Sequence, residues 1–180
     1  MFSLQNIKMF VTDFDGTLAG DKAIVSPRNI KALEGLKETG IIRVIATGRS
    51  LFSLAQVIDK DFPIDFVVFS TGVGVMNHTL NEIYYSYSFN NHEVDEVYAW
   101  LKNQHYNFMI HLPVPDNHIF YANHSKELHS DFIRRIEHYD KLKVNLHENI
   151  PNEAAQFVVI CENNSTHYEK IKQQFPQYKV

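Results

Sequence analysis

The chain has 180 residues, of which 44% are hydrophobic and 21% are charged, and its formal net charge is −4. This composition is typical of a globular protein, and the length is enough to bury one good core or two small ones. Without a basic stripe or an apolar stretch of membrane-spanning length, neither nucleic acid nor a membrane is an expected partner. The single cysteine, Cys161, excludes an internal disulfide, and the N-terminal residues lack an apolar leader, so we expect a cytoplasmic protein.

The first predicted element is a short apolar strand, residues 9–11, that runs into two carboxylates, Asp13 and Asp15. Open α/β sheets bind ligands beyond the carboxyl ends of such strands, and the i, i+2 spacing lets both carboxylates face one crevice. One can act as a nucleophile while the other transfers protons. A calcium loop starting at Asp13 would need glycine at position 18 and glutamate at position 24, where the chain has Leu18 and Ile24. A plain polar turn is the remaining alternative.

The next elements predict a Rossmann-like α/β core. Residues 18–25 are expected to form a β-hairpin flap, and Ser26 and Pro27 to begin a helix that ends near residue 39. A strand over residues 41–46, a helix over about 50–60 and an apolar strand over 66–69 follow. This alternation predicts a parallel sheet with right-handed crossovers. Between the second strand and its helix, the Thr47 hydroxyl and free backbone N–H groups offer an anion site, although a simple helix cap is the plainer interpretation.

The second half of the chain has a different composition. All seven glycines lie at or before Gly74, and all ten histidines lie at or after His78. A hairpin with arms at residues 74–77 and 83–87 precedes a mixture of helices (about 91–104, 125–139 and 165–174) and strands (107–112, 118–122, 143–146 and 157–161). We therefore expect a core domain at residues 1–87, with a flap at 16–25, and an α+β cap domain at 88–180. The histidines around the cap strands match no usual zinc spacing.

At residues 13–18 the sequence Asp-Phe-Asp-Gly-Thr-Leu resembles the first motif of the haloacid dehalogenase superfamily, whose members are mostly Mg²⁺-dependent phosphatases. The resemblance implies that Asp13 forms an aspartyl-phosphate and that Asp15 is the general acid and base. It also implies Mg²⁺ as cofactor, held by Asp13 and Asp15. The phosphate-binding residues that it implies are Gly16, Thr17, Thr47 and Gly48.

The position of the second domain, after the third strand, is similar to that in the Cof-type phosphatases of this superfamily. Residues 68–73, Val-Phe-Ser-Thr-Gly-Val, resemble the third-strand motif of that subfamily, which usually has asparagine where Thr71 stands. By this resemblance Arg49, Thr71 and Gly72 are candidate substrate contacts.

Two further motifs of the family, a lysine and an acidic pair that completes the Mg²⁺ site, are not found downstream. The resemblance thus covers the whole chain but only part of a full family member, and the chain is expected to lack the C-terminal motifs. In the family the first strand is central, so here it should be an exposed edge that favours self-association.

The leading functional prediction is a phosphatase acting on a small phosphorylated metabolite, such as a sugar phosphate. The alternatives are a catalytically inactive fragment that acts as a binding module, and a phosphotransferase or phosphomutase.

Overall fold

The computed structural model describes residues 7–145 and 150–180. The chain divides into two compact units. Unit 1 comprises Met1–Ser88 together with Pro113–His118, and unit 2 comprises Phe89–Leu112 together with Ile119–Val180. None of the helices in the described part is long and apolar enough to cross a membrane.

Unit 1 is built on a five-stranded sheet whose strands, in the order of their pairing, are β1 (Met9–Asp13), β2 (Ile42–Ala46), β3 (Phe66–Phe69), β4 (Gly74–Asn77) and β5 (Glu82–Ser86). The first three strands are parallel and the last two are antiparallel additions, as expected for an α/β core that runs into a hairpin. The Rossmann-like fold class predicted from the sequence is confirmed. The α-helices of this unit are α1 (Pro27–Glu38) and α2 (Leu51–Leu54).

Helix α1 begins and ends where its local signals predict. The Ser26 side chain accepts a hydrogen bond from the N–H of Asn29 over 3.2 Å, and Pro27 occupies the first helical position, where no N–H is needed. Gly40, just past the end, has φ of +72°, a left-handed conformation that glycine adopts without strain. The helix packs Leu33 into the core, where that side chain is almost fully buried.

Two segments of unit 1 are less regular than the sequence predicts. The flap forms single bridges, Asp15 with Ala19 and Ala19 with Val25, around a tight turn rather than a two-stranded hairpin. Helix α2 ends at Leu54, not near residue 60. The Asp59 carboxylate accepts a hydrogen bond from the N–H of Asp61 over 3.0 Å, which stabilises a turn in place of further helix.

Strand β1 lies at one end of the sheet, as the sequence predicts. Its side chains are exposed on both faces, with Met9 51%, Phe10 37% and Val11 53% accessible. Among the described residues β1 pairs with β2 alone, and the late apolar strand, Gln156–Ile160, pairs with a strand of unit 2 instead. Apolar side chains and backbone groups of β1 therefore face solvent.

Unit 2 contains a four-stranded sheet whose strands, in the order of their pairing, are β8 (Lys143–Asn145), β7 (Phe120–Asn123), β6 (Asn107–His111) and β9 (Gln156–Ile160). Neighbouring strands are antiparallel except for the β7–β8 pair. The α-helices of this unit are α3 (Asn91–Asn103), α4 (Ser130–His138) and α5 (Ser165–Gln174). Strand β6 is covered on both faces because alternate side chains point in opposite directions. Phe108 and Ile110 join one apolar cluster with α3, and Met109 joins another with Phe132 of α4.

The elements of unit 2 follow the sequence prediction closely, with one clear exception. Helix α4 begins at Ser130 rather than at residue 125, because Ser125 is hydrogen-bonded to Asn107 and to Glu127 in a loop. His129 then caps the helix, its Nδ1 accepting from the N–H of Asp131. The predicted strand at 143–146 is β8, and its last predicted residue lies outside the described residues.

Candidate active site

The predicted nucleophile, Asp13, is the last residue of β1 and lies in register with Ala46, the last residue of β2. The Thr17 hydroxyl donates to Oδ2 of Asp13 over 3.4 Å, closing a tight turn after the strand. Gly16 in this turn has φ of +75°, and its N–H donates to the carbonyl of Ala19 over 2.9 Å. A side chain at Gly16 would have space but would strain the backbone, which explains the glycine.

The second carboxylate, Asp15, forms a two-pronged ion pair with Arg49. Nε of Arg49 donates to Oδ2 over 2.7 Å, and Nη2 donates to Oδ1 over 2.8 Å. The hydrogen bonds and charge of Arg49 outweigh partial burial and hold the pKa of Asp15 below its ordinary value. The guanidinium also donates to the Ser53 hydroxyl and lies 5.5 Å from the centre of the Phe14 ring. Arg49 thus joins the turn after β1 to helix α2.

Thr47 and Gly48 lie in the loop after β2, and β2 is the strand between β1 and β3. Thr47 is only 5% exposed, and its hydroxyl oxygen accepts from the N–H of Arg49 over 3.1 Å. A Cβ at Gly48 would lie 3.6 Å from Oγ1 of Thr71, so the Thr71 hydroxyl lies beside this glycine. Helix α2 has four residues, too few for a strong dipole, so an anion here would rely on the local polar groups.

The loop after β3 is hydrogen-bonded to the loop after β2. The N–H of Ser70 donates to the carbonyl of Arg49 over 2.9 Å, and the N–H of Thr71 donates to the carbonyl of Thr47 over 3.1 Å. Gly72, with φ of +96°, follows them. The residues singled out from the sequence therefore lie on three neighbouring loops at the carboxyl ends of β1, β2 and β3.

Magnesium, which the family resemblance implies, is usually held by one or two carboxylates together with water and substrate phosphate. Here the Asp13 carboxylate and the main-chain carbonyl of Asp15 are suitable donors, while the Asp15 carboxylate is bound by Arg49. Within residues 7–145 and 150–180, no group of three or more His, Cys, Asp or Glu residues is placed to hold a metal ion. The donor set fits a sparse site that depends on water and phosphate for most of its ligands.

One site neighbour was not identified from the sequence. Asn117, in the segment of unit 1 between β6 and β7, donates from Nδ2 to Oγ of Ser70 over 2.8 Å. The next residue, His118, stacks on Phe52 of α2 with ring centroids 4.3 Å apart. Asn117 and Ser70 are separated by 47 positions, so no local pattern could have indicated this contact.

The sequence matches a family described as haloacid dehalogenase-like hydrolase over residues 10–180. The 5-amino-6-(5-phospho-D-ribitylamino)uracil phosphatase YcsE of Bacillus subtilis is 29% identical over 76 residues, covering 42% of this chain and 30% of that protein. A second phosphatase of the same description from B. subtilis, YwtE, is 30% identical over 79 residues, covering 41% of this chain and 28% of that protein.

Among solved structures, the subclass IIB sugar phosphatase BT4131 has a TM-score of 0.65 and 20% identity, covering 94% of this chain and 64% of that one. SMU.1108c from Streptococcus mutans has a TM-score of 0.72 and 13% identity, covering 97% of this chain and 64% of that one. These likenesses show a shared fold. The chain spans 64% of both structures, and its matches span less than a third of the two curated relatives.

Proposed function

The chain belongs to the haloacid dehalogenase-like hydrolase family, and on that premise we propose that it carries the phosphoryl-transfer site of a Mg²⁺-dependent phosphatase. The observation that supports this most is the clustering of Asp13, Asp15 and Thr47 on neighbouring loops at one end of the parallel strands. We propose a small phosphorylated metabolite as substrate, such as a sugar phosphate, in the cytoplasm. The names of the relatives, phosphatases of a sugar and of a phosphoribitylamino-uracil, support that class.

The proposed reaction has two steps. A carboxylate oxygen of Asp13 attacks phosphorus, the bond from phosphorus to the ester oxygen breaks, and that oxygen takes a proton from Asp15. Water then attacks the phosphorus of the aspartyl-phosphate and gives a proton to Asp15. The bond between phosphorus and the Asp13 oxygen breaks, so inorganic phosphate leaves and both carboxyl groups return to their starting forms. When bound, Mg²⁺ would supply positive charge that balances the phosphoryl oxygens.

Arg49 has two parts in this proposal. By holding Asp15 ionised it favours the form of that carboxyl that accepts a proton from water. For the first step the ion pair has to open and Asp15 has to take up a proton from solvent, which it then gives to the ester oxygen. A guanidinium released from Asp15 is well suited to bind phosphate oxygens in the same two-pronged geometry. We propose Arg49, Thr71 and Gly72 as the residues nearest the substrate, and Gly16, Thr17, Thr47 and Gly48 as the surroundings of its phosphate.

Asp-to-Asn substitutions keep the size of the side chain and remove its negative charge and its acidity. With p-nitrophenyl phosphate and MgCl₂, Asp13→Asn should abolish turnover, and Asp15→Asn should reduce it about 10²- to 10⁴-fold. Asp95→Asn, which changes an aspartate of α3 in unit 2, is the matched control and should be neutral. Undiminished turnover in Asp13→Asn would contradict the assignment of the nucleophile.

The sparse donor set favours a second candidate, a binding module without turnover. The described residues hold no cluster of three metal-binding side chains, and we expect weak Mg²⁺ affinity and little phosphatase activity from this chain alone. Phosphate binding at Thr47 and Gly48 without turnover would support this candidate over the first.

We also propose that the chain associates with a second copy of itself through the outer edge of β1. The edge has apolar side chains accessible on both faces, a feature that favours strand-to-strand pairing.

A further inference from the structure

The turn at the end of β3 has an uncommon backbone. Ser70 and Thr71 have φ of +49° and +57°, so two consecutive residues other than glycine are in the left-handed region. Side chains disfavour that region, and such conformations persist only when the surrounding structure holds them. Two main-chain hydrogen bonds, from Ser70 to Arg49 and from Thr71 to Thr47, contribute to this restraint.

Asn117 adds a side-chain restraint to the same turn. Its amide donates to Oγ of Ser70 over 2.8 Å, and both residues are only 4% exposed. A buried hydroxyl that loses its partner retains the cost of desolvation, so this hydrogen bond favours one orientation of Ser70 strongly. The hydrogen bond therefore lies in the interior of unit 1.

The segment that carries Asn117 is anchored a second time, by the stacking of His118 on Phe52. Phe52 belongs to α2, which follows the loop of Thr47 and Gly48, whereas Ser70 belongs to the loop after β3. Asn117 therefore contacts the loop after β3, and His118 contacts the helix that follows the loop after β2. The Thr71 hydroxyl and Gly48 lie side by side where these two loops meet.

We propose that Asn117 is a positioning residue of the phosphate site: its amide fixes Ser70, and thereby the left-handed turn that keeps the Thr71 hydroxyl beside Gly48. This inference rests on the proposed function, because it takes the Thr47–Gly48 loop as the place where phosphate binds. Asn117 acts through Ser70 and needs no contact with the substrate.

The test compares Asn117→Ala with Asn107→Ala. Asn107 is a matched control, since it is a buried asparagine of unit 2 whose amide donates to the carbonyl of Glu127 and whose oxygen accepts from the N–H of Ser125. The first measurement, without ligand, is amide hydrogen exchange at Ser70 and Thr71, whose N–H groups form the two main-chain bonds of the turn. Asn117→Ala should speed exchange there about fivefold, the effect of losing the hydrogen bond to Ser70, and Asn107→Ala should not.

The second measurement is a titration with inorganic phosphate, followed by the amide resonances of Thr47 and Gly48. Asn117→Ala should weaken phosphate binding about fivefold, and Ser70→Ala should have a similar effect that does not add to it in the double variant. Unchanged exchange in Asn117→Ala, or equal effects of Asn107→Ala, would overturn the proposal. Absence of any phosphate response in the unsubstituted chain would instead contradict the proposed function, and the exchange measurement would still decide the role of Asn117.

Discussion

Arg49 grips both carboxylate oxygens of Asp15, with donor–acceptor distances of 2.7 and 2.8 Å, although the two residues are 34 positions apart. The pair places a guanidinium beside the candidate site. It also engages the Asp15 carboxylate, which could otherwise join Asp13 in binding a cation. The guanidinium therefore affects anion and cation binding in opposite directions.

Replacing Arg49 by methionine should strengthen Mg²⁺ binding and weaken inorganic phosphate binding. Two unit charges about 4 Å apart interact by about 1 kcal/mol in water, so removing the guanidinium changes the binding of a divalent ion by about 2 kcal/mol, or roughly 30-fold. Calorimetric titrations with each ion measure both effects. Arg134→Met is the control, because it removes the same charge from the exposed ion pair of α4 with Asp131. Misfolding would weaken the binding of both Mg²⁺ and phosphate, so a shift of both affinities in the same direction would contradict this prediction.

Asp65→Asn should destabilise unit 1. The Arg43 side chain is only 2% exposed, and Asp65 accepts from its Nε, its Nη2 and its backbone N–H over 3.0, 2.6 and 2.7 Å. Removing one partner leaves a buried positive charge without compensation, which costs about 3 kcal/mol in the free energy of unfolding. Urea denaturation measures the loss.

Asp131→Asn, which breaks the exposed ion pairs of α4, is the control for that substitution and should change stability little. Equal stability of Asp65→Asn and the unsubstituted protein would show that Arg43 finds another partner.

The contribution of Asp65 should depend on pH. Partial burial raises the pKa of Asp65, but hydrogen bonds from Arg43, with the charges of Arg43 and Lys37, outweigh it, so the pKa lies below the ordinary value of 3.8. Its ionised form is thus stabilised by folding. The contribution of ionised Asp65 to the free energy of unfolding is present in full above pH 3.8 and is lost as the pH falls through the lower pKa of the folded state. Urea unfolding of the unsubstituted protein and of Asp65→Asn should show that the difference between their free energies of unfolding becomes smaller as the pH is lowered. A difference that becomes larger in acid would contradict this prediction.

Gly74→Ala should destabilise the β3–β4 pair. Gly74 lies directly opposite Phe69 in the sheet, and a Cβ there would overlap the Phe69 ring and lie 2.8 Å from the carbonyl oxygen of Tyr85. Overpacking of this kind costs about 1–3 kcal/mol. Gly35→Ala, in open space on α1, should instead stabilise by about 0.5–1 kcal/mol. Thermal unfolding should show these opposite signs, and a neutral Gly74→Ala would mean that Phe69 and the neighbouring backbone can move aside.

Val11→Lys should reduce self-association. Val11 is 53% exposed in the middle of the edge strand, and a lysine there disfavours pairing with another strand. Static light scattering over a concentration series measures the association. Leu80→Lys, at a residue 57% exposed in the β4–β5 hairpin, is the control for a general gain in solubility. A monomeric unsubstituted chain, or an equal effect of Leu80→Lys, would argue against the β1 edge as the interface.

The fold could be predicted where its signals are local. Ser26, Pro27 and Gly40 mark both ends of α1, and the apolar runs of β1 to β3 fix the parallel strands. Helix α2 was predicted too long because Val57 and Ile58 continue the helical period, yet Ile58 is buried by tertiary packing outside any helix. Periodicity reports burial, and only within a regular element does it report the helix itself.

The candidate site shows the same division. Asp13, Asp15 and Thr47 could be singled out because each lies at or just beyond the end of a recognisable strand, and the ends of parallel strands meet at one edge. Gly48 was implied by the family resemblance. The pairing of Asp15 with Arg49 and of Ser70 with Asn117 could not, because both join residues far apart in the sequence through side-chain geometry. Asn117 lies in a loop whose composition indicates a turn and nothing more.

The strand that carries the candidate nucleophile is an edge strand of its sheet. Asp13 ends β1, which within residues 7–145 and 150–180 has one neighbouring strand and is accessible on both faces. Edge strands open locally at lower free energy than central ones, so the placement of Asp13 and the closing of β1 share one equilibrium. Any ligand that engages Asp13 only when the strand is closed stabilises it through thermodynamic linkage, by about 2.7 kcal/mol at a concentration of 100 times Kd. Occupancy of the site thereby becomes a determinant of the integrity of the sheet.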